Sequence, residues 1–303
     1  MHFDEQKPLD RVLNDLFAHY RANVADVSKI TDALLKNEVV SAQADIVNDH
    51  IAFRTLGVPH LGIASFEKIF LHYGYVRRDH YYFEGKKLDA YWYAPPSPNY
   101  PRIFVSELQV AALSKAAQAI IHRYTDPITA DPVDQLDLAD GNAVAEFLQR
   151  PLWALPLAAE YEQLLEESEY AAWVIYNRYY LNHYTISIHE LKEGYDTLEA
   201  FNAFLEGIGI KLNRSGGKIK TSADGLLRQS STVSALYDAS FADGRVLQIA
   251  GSYVEFAERS PLPAYQHLPK AQLEPKHRRD GFETNNADKI FESTYTQQIK
   301  GDQ

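Results

Sequence analysis

The feature that most constrains this chain is a pattern that occurs twice. In Asp49-His50-Ile51-Ala52-Phe53-Arg54-Thr55, Ile51 and Phe53 would bury one face of a strand, while His50, Ala52 and Arg54 share the other. The alternation returns where Tyr184, Ile186 and Ile188 interleave with His183, Thr185 and Ser187. Each strand leads into a helical stretch, Ser65–His72 closed by Gly74 in the first copy and Thr197–Gly207 in the second. Strand candidates follow each helix. They are Tyr75–Glu84, Lys87–Tyr93 and Arg102–Val110 in the first copy, and pieces of Lys211–Ser234 and Arg245–Arg259 in the second. The order strand, helix, three strands therefore repeats. His50 to Glu107 spans 57 positions and His183 to Glu255 spans 72, so the second copy is longer in its middle. The repeat rests on element order and landmarks, not on residue identity.

Around these copies the period is helical. Leu9, Val12, Leu16 and Tyr20, then Val27, Ile30 and Leu34, recur at helix spacing in two pieces. Ala111–Tyr124 and Ala159–Glu167 are the clearest helices of the middle region, which is cut by Asp126-Pro127 and Asp131-Pro132. The expected organisation is α+β. One catalytic domain over 1–260 comprises helical 1–45, a first βαβββ module 46–110, a helical insertion 111–180 and a second module 181–260. A Pro-rich tail, 261–303, is expected to wrap the surface, with parts that could cover the site.

Bulk chemistry narrows the function. The net charge of −11 argues against unspecific attraction to nucleic acid or anionic membrane. The absence of Cys excludes disulfides, thiolate nucleophiles, Cys-ligated zinc and iron–sulfur clusters. Met1–Gln6 lacks a basic-then-apolar leader pattern and no apolar run could span a bilayer, so the expectation is a cytoplasmic protein with neither nucleic-acid nor membrane partners.

The residues that could carry chemistry sit at the matching landmarks. His50 and His183 open equivalent strands and Glu255 lies on a final strand; two imidazoles and a carboxylate suit iron(II), manganese or zinc. Each alone has an ordinary structural alternative: His50 bonded to Asp49, His183 to Asn182, Glu255 paired with Arg259. Arg54 shares the strand face of His50 and suits a two-point pair with a substrate carboxylate, or an ion pair with Glu107. Glu107, taken as the first-half counterpart of Glu255, is a candidate fourth ligand or catalytic carboxylate, or a group that orients Arg54 or a ligand histidine. Gln229 and Ser230 are candidate substrate-binding donors, against a satisfied polar strand. The chain has no His-Glu-x-x-His, no dinucleotide-binding glycine fingerprint and no nucleophile-elbow motif.

Four segments resemble the 2-oxoadipate dioxygenase/decarboxylases: Asn48-Asp49-His50-Ile51-Ala52-Phe53-Arg54-Thr55, Asn182-His183-Tyr184-Thr185, the Gln229-Ser230-Ser231-Thr232 region, and Tyr253-Val254-Glu255-Phe256-Ala257-Glu258-Arg259. The resemblance implies a vicinal-oxygen-chelate-like β-barrel or curved sheet built from paired modules. It implies Fe(2+) bound by His50, His183 and Glu255, and Arg54 on a substrate carboxylate. The partners implied are a small 2-oxo acid and O2, with 2-oxoadipate converted to 2-hydroxyglutarate and CO2 in lysine breakdown. Two other readings of the same scaffold stand beside it, a non-redox metal-dependent lyase or isomerase and a non-catalytic ligand-binding protein.

Overall fold

In the computed structural model, which describes residues 3, 5 and 7–301, the two histidine strands pair with each other at the middle of one sheet. Of the stretch read for a leader, Met1, His2, Asp4 and Gln6 lie outside the described residues, as do Asp302 and Gln303 of the tail. Helices α1 (Pro8–Asn23) and α2 (Ala25–Lys36) precede the first module. Pro8 opens α1, where a missing N–H costs nothing. Its residues Leu9, Val12, Leu13, Leu16, Phe17 and Tyr20 are buried on one stripe, as their spacing requires.

The first module runs β1 (Asn48–Leu56), α3 (Ile63–His72), β2 (Val76–Phe83), β3 (Leu88–Ala94) and β4 (Arg102–Leu108). Four helices follow: α4 (Lys115–Thr125), α5 (Gly141–Gln149), α6 (Ala158–Glu167) and α7 (Glu169–Asn177). The second module is β5 (His183–Ser187), α8 (Leu198–Gly207), β6 (Lys220–Thr221) and β7 (Leu227–Ser231), then an inserted hairpin of β8 (Leu236–Ser240) and β9 (Val246–Ala250), and finally β10 (Tyr253–Arg259). The tail adds α9 (Thr284–Phe291) and α10 (Thr296–Lys300).

The eight-stranded order β2-β3-β4-β1-β5-β10-β7-β6 reads the same from either end once the modules are matched. β1 lies parallel to β4 as β5 does to β10, and the outer pairs are antiparallel in both halves. At the junction His50 faces Thr185 and Ala52 faces His183, so a local two-fold axis passes between Ile51 and Tyr184. This is the α+β, vicinal-oxygen-chelate-like arrangement of two βαβββ units. The β8–β9 hairpin forms its own two-stranded sheet, and it supplies most of the extra length of the second copy.

Faces follow the alternation. Ile51 and Phe53 point to the helix side, where Phe53 stacks on Phe66 and Phe70 of α3 at 4.6 and 5.9 Å between ring centroids. Burying such a ring contributes about 1.5–3 kcal/mol. His50, Ala52 and Arg54 point to the concave side. Part of the tail covers the site, as one of the two expectations for it allowed: Phe282, Ala287, Ile290 and Phe291 fill this concavity. Apolar residues at helix spacing on α9 explain the choice, because the face of the sheet otherwise lacks a cover.

Candidate metal centre

The central strands bring His50, His183 and Glu255 together, with one donor atom from each lying within 4.8 Å of the others. All three are buried. His183 Nε2 is 3.1 Å from Glu255 Oε2 and His50 Nε2 is 3.5 Å from Glu255 Oε1. The two imidazoles stand nearly perpendicular, 5.4 Å apart.

Each ring is held from behind by its preceding residue. Asp49 Oδ1 lies 2.8 Å from His50 Nδ1, and Asn182 Oδ1 lies 3.0 Å from His183 Nδ1. Neighbouring strand residues normally face opposite sides; at Asp49 the ladder with β5 shifts, a bulge that lets its carboxylate reach the next ring. Both partners are acceptors, so in the neutral rings both Nδ1 atoms carry hydrogen and both Nε2 atoms present lone pairs inward, that of His50 also 3.0 Å from Thr185 Oγ1. Two lone pairs turned toward a carboxylate repel it. A divalent cation between them removes that conflict, and this donor set on one octahedral face is the two-histidine, one-carboxylate triad of non-heme iron(II) enzymes.

Burial and neighbouring charge act in opposite directions on these groups. Burial would raise the Glu255 pKa, but the adjacent His50 and His183 hold it well below the usual carboxylate range. Burial would lower the His50 pKa, but Glu255 and Asp49 raise it above the ordinary value. At His183 burial prevails and the pKa is lowered. Asp49 is also held far down, because Arg259 and Arg102 outweigh its burial.

A small cavity opens on the triad. Its wall is Phe104, Tyr253, Phe282, Ala287, Ile290 and Phe291, with Gln229 beside Glu255. Phe282 meets His50 edge-on, 4.7 Å between rings.

The other expected residues are placed differently from one another. Arg54 is on the triad's face, buried, with Nη1 donating to Thr294 Oγ1 at 2.9 Å and Nη2 to the Phe291 carbonyl at 3.0 Å. It stacks among Tyr170, Trp173 and Phe291 and has no carboxylate partner among the described residues. The alternative pairing of Arg54 with Glu107 is therefore corrected. So is the reading of Glu107 as a ligand or catalytic group: it is opposite Thr55 in register, on the helix side of the sheet. There Oε2 accepts from Ile63 N at 2.7 Å, at the start of α3, and Gly62 leaves the room it needs. Burial raises its pKa.

Register also shows why the sequence misled. His50 is level with Arg102 and His183 with Tyr253, so the counterpart of Glu255 is Phe104, not Glu107. Gln229 faces the cavity, but its Nε2 donates to Glu255 Oε1 at 2.6 Å. Ser230 points the other way and donates to Asn202 Oδ1 of α8 at 2.8 Å, away from the cavity. The alternative pairing of Glu255 with Arg259 is likewise replaced, since Arg259 binds Asp49 at 2.6 and 2.9 Å. Sequence reasoning gave no site role to Asp49, Asn182, Tyr253, Phe282 or Asn286. A signal for the first two was present: an Asp or Asn precedes both ligand histidines.

The family model for 2-oxoadipate dioxygenase/decarboxylase matches residues 12–274. The chain belongs to that family. It is 46% identical over 262 residues to the chloroplastic 2-oxoadipate dioxygenase/decarboxylase of Arabidopsis thaliana, covering 83% of this chain and 69% of that protein. It is 40% identical to the chloroplastic/amyloplastic one of Oryza sativa subsp. japonica, covering 96% and 83%. The fold superposes on the crystal structure of hydroxyglutarate synthase from Oryza sativa in complex with 2-oxoadipate, with a TM-score of 0.89, 38% identity and coverage of 99% and 96%. These plant relatives overturn the expectation of a cytoplasmic location, since both are named for plastids. Among the described residues no helix is long and apolar enough to cross a membrane.

Proposed function

We propose that this chain is an iron(II)-dependent dioxygenase/decarboxylase that converts 2-oxoadipate and O2 to 2-hydroxyglutarate and CO2. The observation that carries the reading is the buried His50, His183 and Glu255 triad opening on a small, largely apolar cavity, in a member of this family. The conversion balances with one O2 and no external reductant.

His50, His183 and Glu255 would hold the iron, which supplies the redox chemistry toward O2 when bound. The protein supplies the rest. Asp49 and Asn182 fix the two rings, so that Nε2 rather than Nδ1 is the donor. Gln229 spends its amide on Glu255 Oε1 and is read as orienting that ligand instead of binding substrate. Phe104, Phe282, Ile290 and Phe291 exclude bulk water and offer an apolar wall to a short methylene chain. Arg54, a buried guanidinium without a carboxylate partner among the described residues, is read as the receptor for a substrate carboxylate. The catalytic unit on this reading includes the tail, since α9 forms part of the cavity wall.

The test is anaerobic reconstitution with iron(II), then a panel of 2-oxo acids with O2 uptake and product mass analysis. The expected result is CO2 release and 2-hydroxyglutarate from 2-oxoadipate only when iron and O2 are both present. Turnover without O2 to an isomer or lyase product would move the assignment to a non-redox enzyme. Binding without turnover across the panel would leave a ligand-binding protein.

A further inference from the structure

Every wall of the cavity over the triad except one is sheet. His50, Phe104, His183, Gln229, Tyr253 and Glu255 stand on β1, β4, β5, β7 and β10, and the remaining wall is tail, with Ala287, Ile290 and Phe291 on α9. The cavity has room for about one water, and all three ligands are buried. A 2-oxo diacid is many times that size, so a wall has to yield to admit it. The sheet walls are tied by their ladders. The tail is not. Among the described residues one backbone–backbone hydrogen bond, from Ser234 N to the Ser293 carbonyl at 2.9 Å, joins 284–301 to the chain before residue 283. The other polar holds pass through side chains, which release by rotation where a ladder has to unzip.

We propose that 284–301 is a lid, closed across the mouth of the concave face by a glycine clasp and lifted to admit substrate. The size argument rests on the 2-oxo-acid reading above; the attachment of the lid does not. Glu292 bridges the two halves of the sheet. Lys86 Nζ, from the turn between β2 and β3, donates to its Oε1 at 3.0 Å, and Ser215 Oγ, from the loop before β6, donates to its Oε2. The same loop clasps α9, since Asn213 Nδ2 donates to the Lys289 carbonyl and to Ser293 Oγ, each at 2.9 Å. Gly216 and Gly217 follow with φ of +66° and +95°. A Cβ on Gly216 would lie 3.0 Å from Lys289 Cγ, so glycine lets the loop sit this close to the lysine chain. At the other end the entry to the lid is fixed. Arg259 Nη1 holds the Gly281 carbonyl at 2.8 Å, which puts the pivot just beyond, at Glu283 and Thr284.

The experiment fixes the lid shut. The chain has no Cys, so the thiols of G216C/K289C are the only ones in the molecule. With the lysine chain gone, the two Cβ atoms would stand 3.7 Å apart, within disulfide range. The variant is loaded anaerobically with iron(II), oxidised with diamide, and compared with its reduced form and with G216S/K289S. Cross-linking is expected to slow 2-oxoadipate association about tenfold or more, with recovery on reduction and wild-type rates in G216S/K289S. Equal rates in the cross-linked and reduced forms would overturn the proposal. If wild type binds no 2-oxo acid, the functional reading fails by itself, and iron release to ferrozine decides the lid: slower release on cross-linking supports it and unchanged release rejects it. If the disulfide does not form, hydrogen–deuterium exchange of wild type decides. Amides of α9 and α10 are expected to exchange about tenfold or more faster than those of β1 and β5, and to slow when iron and 2-oxoadipate are bound. Exchange as slow as in β1 would reject a lid.

Discussion

Asp49 grips Arg259 with both carboxylate oxygens, at 2.6 Å to Nε and 2.9 Å to Nη2, while its Oδ1 also holds His50 Nδ1 at 2.8 Å. Arg259 in turn donates to the carbonyls of Arg279 and Gly281, so one buried pair ties a metal ligand to the end of β10 and to the tail. D49A strands a buried guanidinium and should destabilise the fold by about 3–5 kcal/mol. D49N keeps an acceptor for His50, as Asn182 does for His183, but loses the charge. It should lower iron affinity about 10- to 100-fold. Urea denaturation of the metal-free protein and anaerobic metal titration measure the two effects; unaltered stability in D49A would reject the role given to this pair.

The same pair sets an acid limb. Asp49 titrates well below its ordinary 3.8 in the native state, because Arg259 and Arg102 prevail over burial. Above that value the group is ionised in both folded and unfolded chains and its contribution is complete. As pH falls below 3.8 the unfolded chain takes up the proton first, and the contribution is lost on the way down to the native pKa. The stability advantage of metal-free wild type over D49N should therefore shrink below about pH 4 and be flat above pH 5. Urea midpoints for both proteins across pH 3–7 test this, and a gap that widens on acidification would refute it.

Lys220 has the opposite sign. It is buried on the concave side, its Nζ donates to the Asn213 carbonyl at 2.9 Å, and burial pulls its pKa down to about 8. Between that value and the ordinary 10.5, the unfolded chain binds a proton that the folded one has released, so stability rises with pH. K220M should abolish a gain of about 2–4 kcal/mol over this range. Unfolding free energies at pH 7.5, 9 and 10.5 for both proteins give the answer. A parallel pH response in the two would show that Lys220 stays charged.

Glu107 and Glu258 are counterparts in the two modules, each accepting from the first amide of its helix, Ile63 at 2.7 Å and Leu198 at 2.8 Å. E107A should therefore cost about 1–2 kcal/mol, the loss of a helix-end acceptor and its charge, and leave iron affinity unaltered. E255A should abolish tight iron binding. Metal titration of both variants separates them, and weakened iron binding in E107A would restore Glu107 to the site.

This pair also marks the limit of what the sequence discloses. Alternation alone put His50, Ala52 and Arg54 on one face and gave the repeated module, because strand parity is written in every second residue. It did not give register between strands. Glu107 and Glu255 both look like a carboxylate on a closing strand, and only the pairing with β1 and β5 shows that they sit three positions out of step. The β8–β9 hairpin was not foreseen, and α5 and α7 fell within the helical insertion 111–180 without being placed one by one, since a few turns or a five-residue strand carry little periodicity. The tail was left open between wrapping the surface and covering the site for a related reason. Its prolines signal irregular chain but say nothing about whether Phe282 and Phe291 face solvent or a metal pocket.

That tail supplies the last prediction. Asn286 of α9 donates through Nδ2 to the Leu227 carbonyl at 3.3 Å and to Gln229 Oε1 at 3.0 Å, and Gln229 Nε2 donates to Glu255 Oε1 at 2.6 Å. A backbone carbonyl at one end and a carboxylate at the other leave only one orientation for each amide, so the chain of bonds has a single sense. Gln229 thereby occupies one carboxylate oxygen and leaves Oε2, 3.1 Å from His183 Nε2, turned to the metal position. N286A frees the Gln229 amide to rotate and should weaken iron binding about tenfold, at the lower end for a group acting through a ligand. N286D presents acceptors in place of the donor, so it should bind iron more weakly than N286A while remaining folded. Anaerobic iron titration monitored by protein fluorescence, with circular dichroism to verify folding, distinguishes these outcomes. Equal iron affinity in wild type, N286A and N286D would show that the tail covers the site without orienting it.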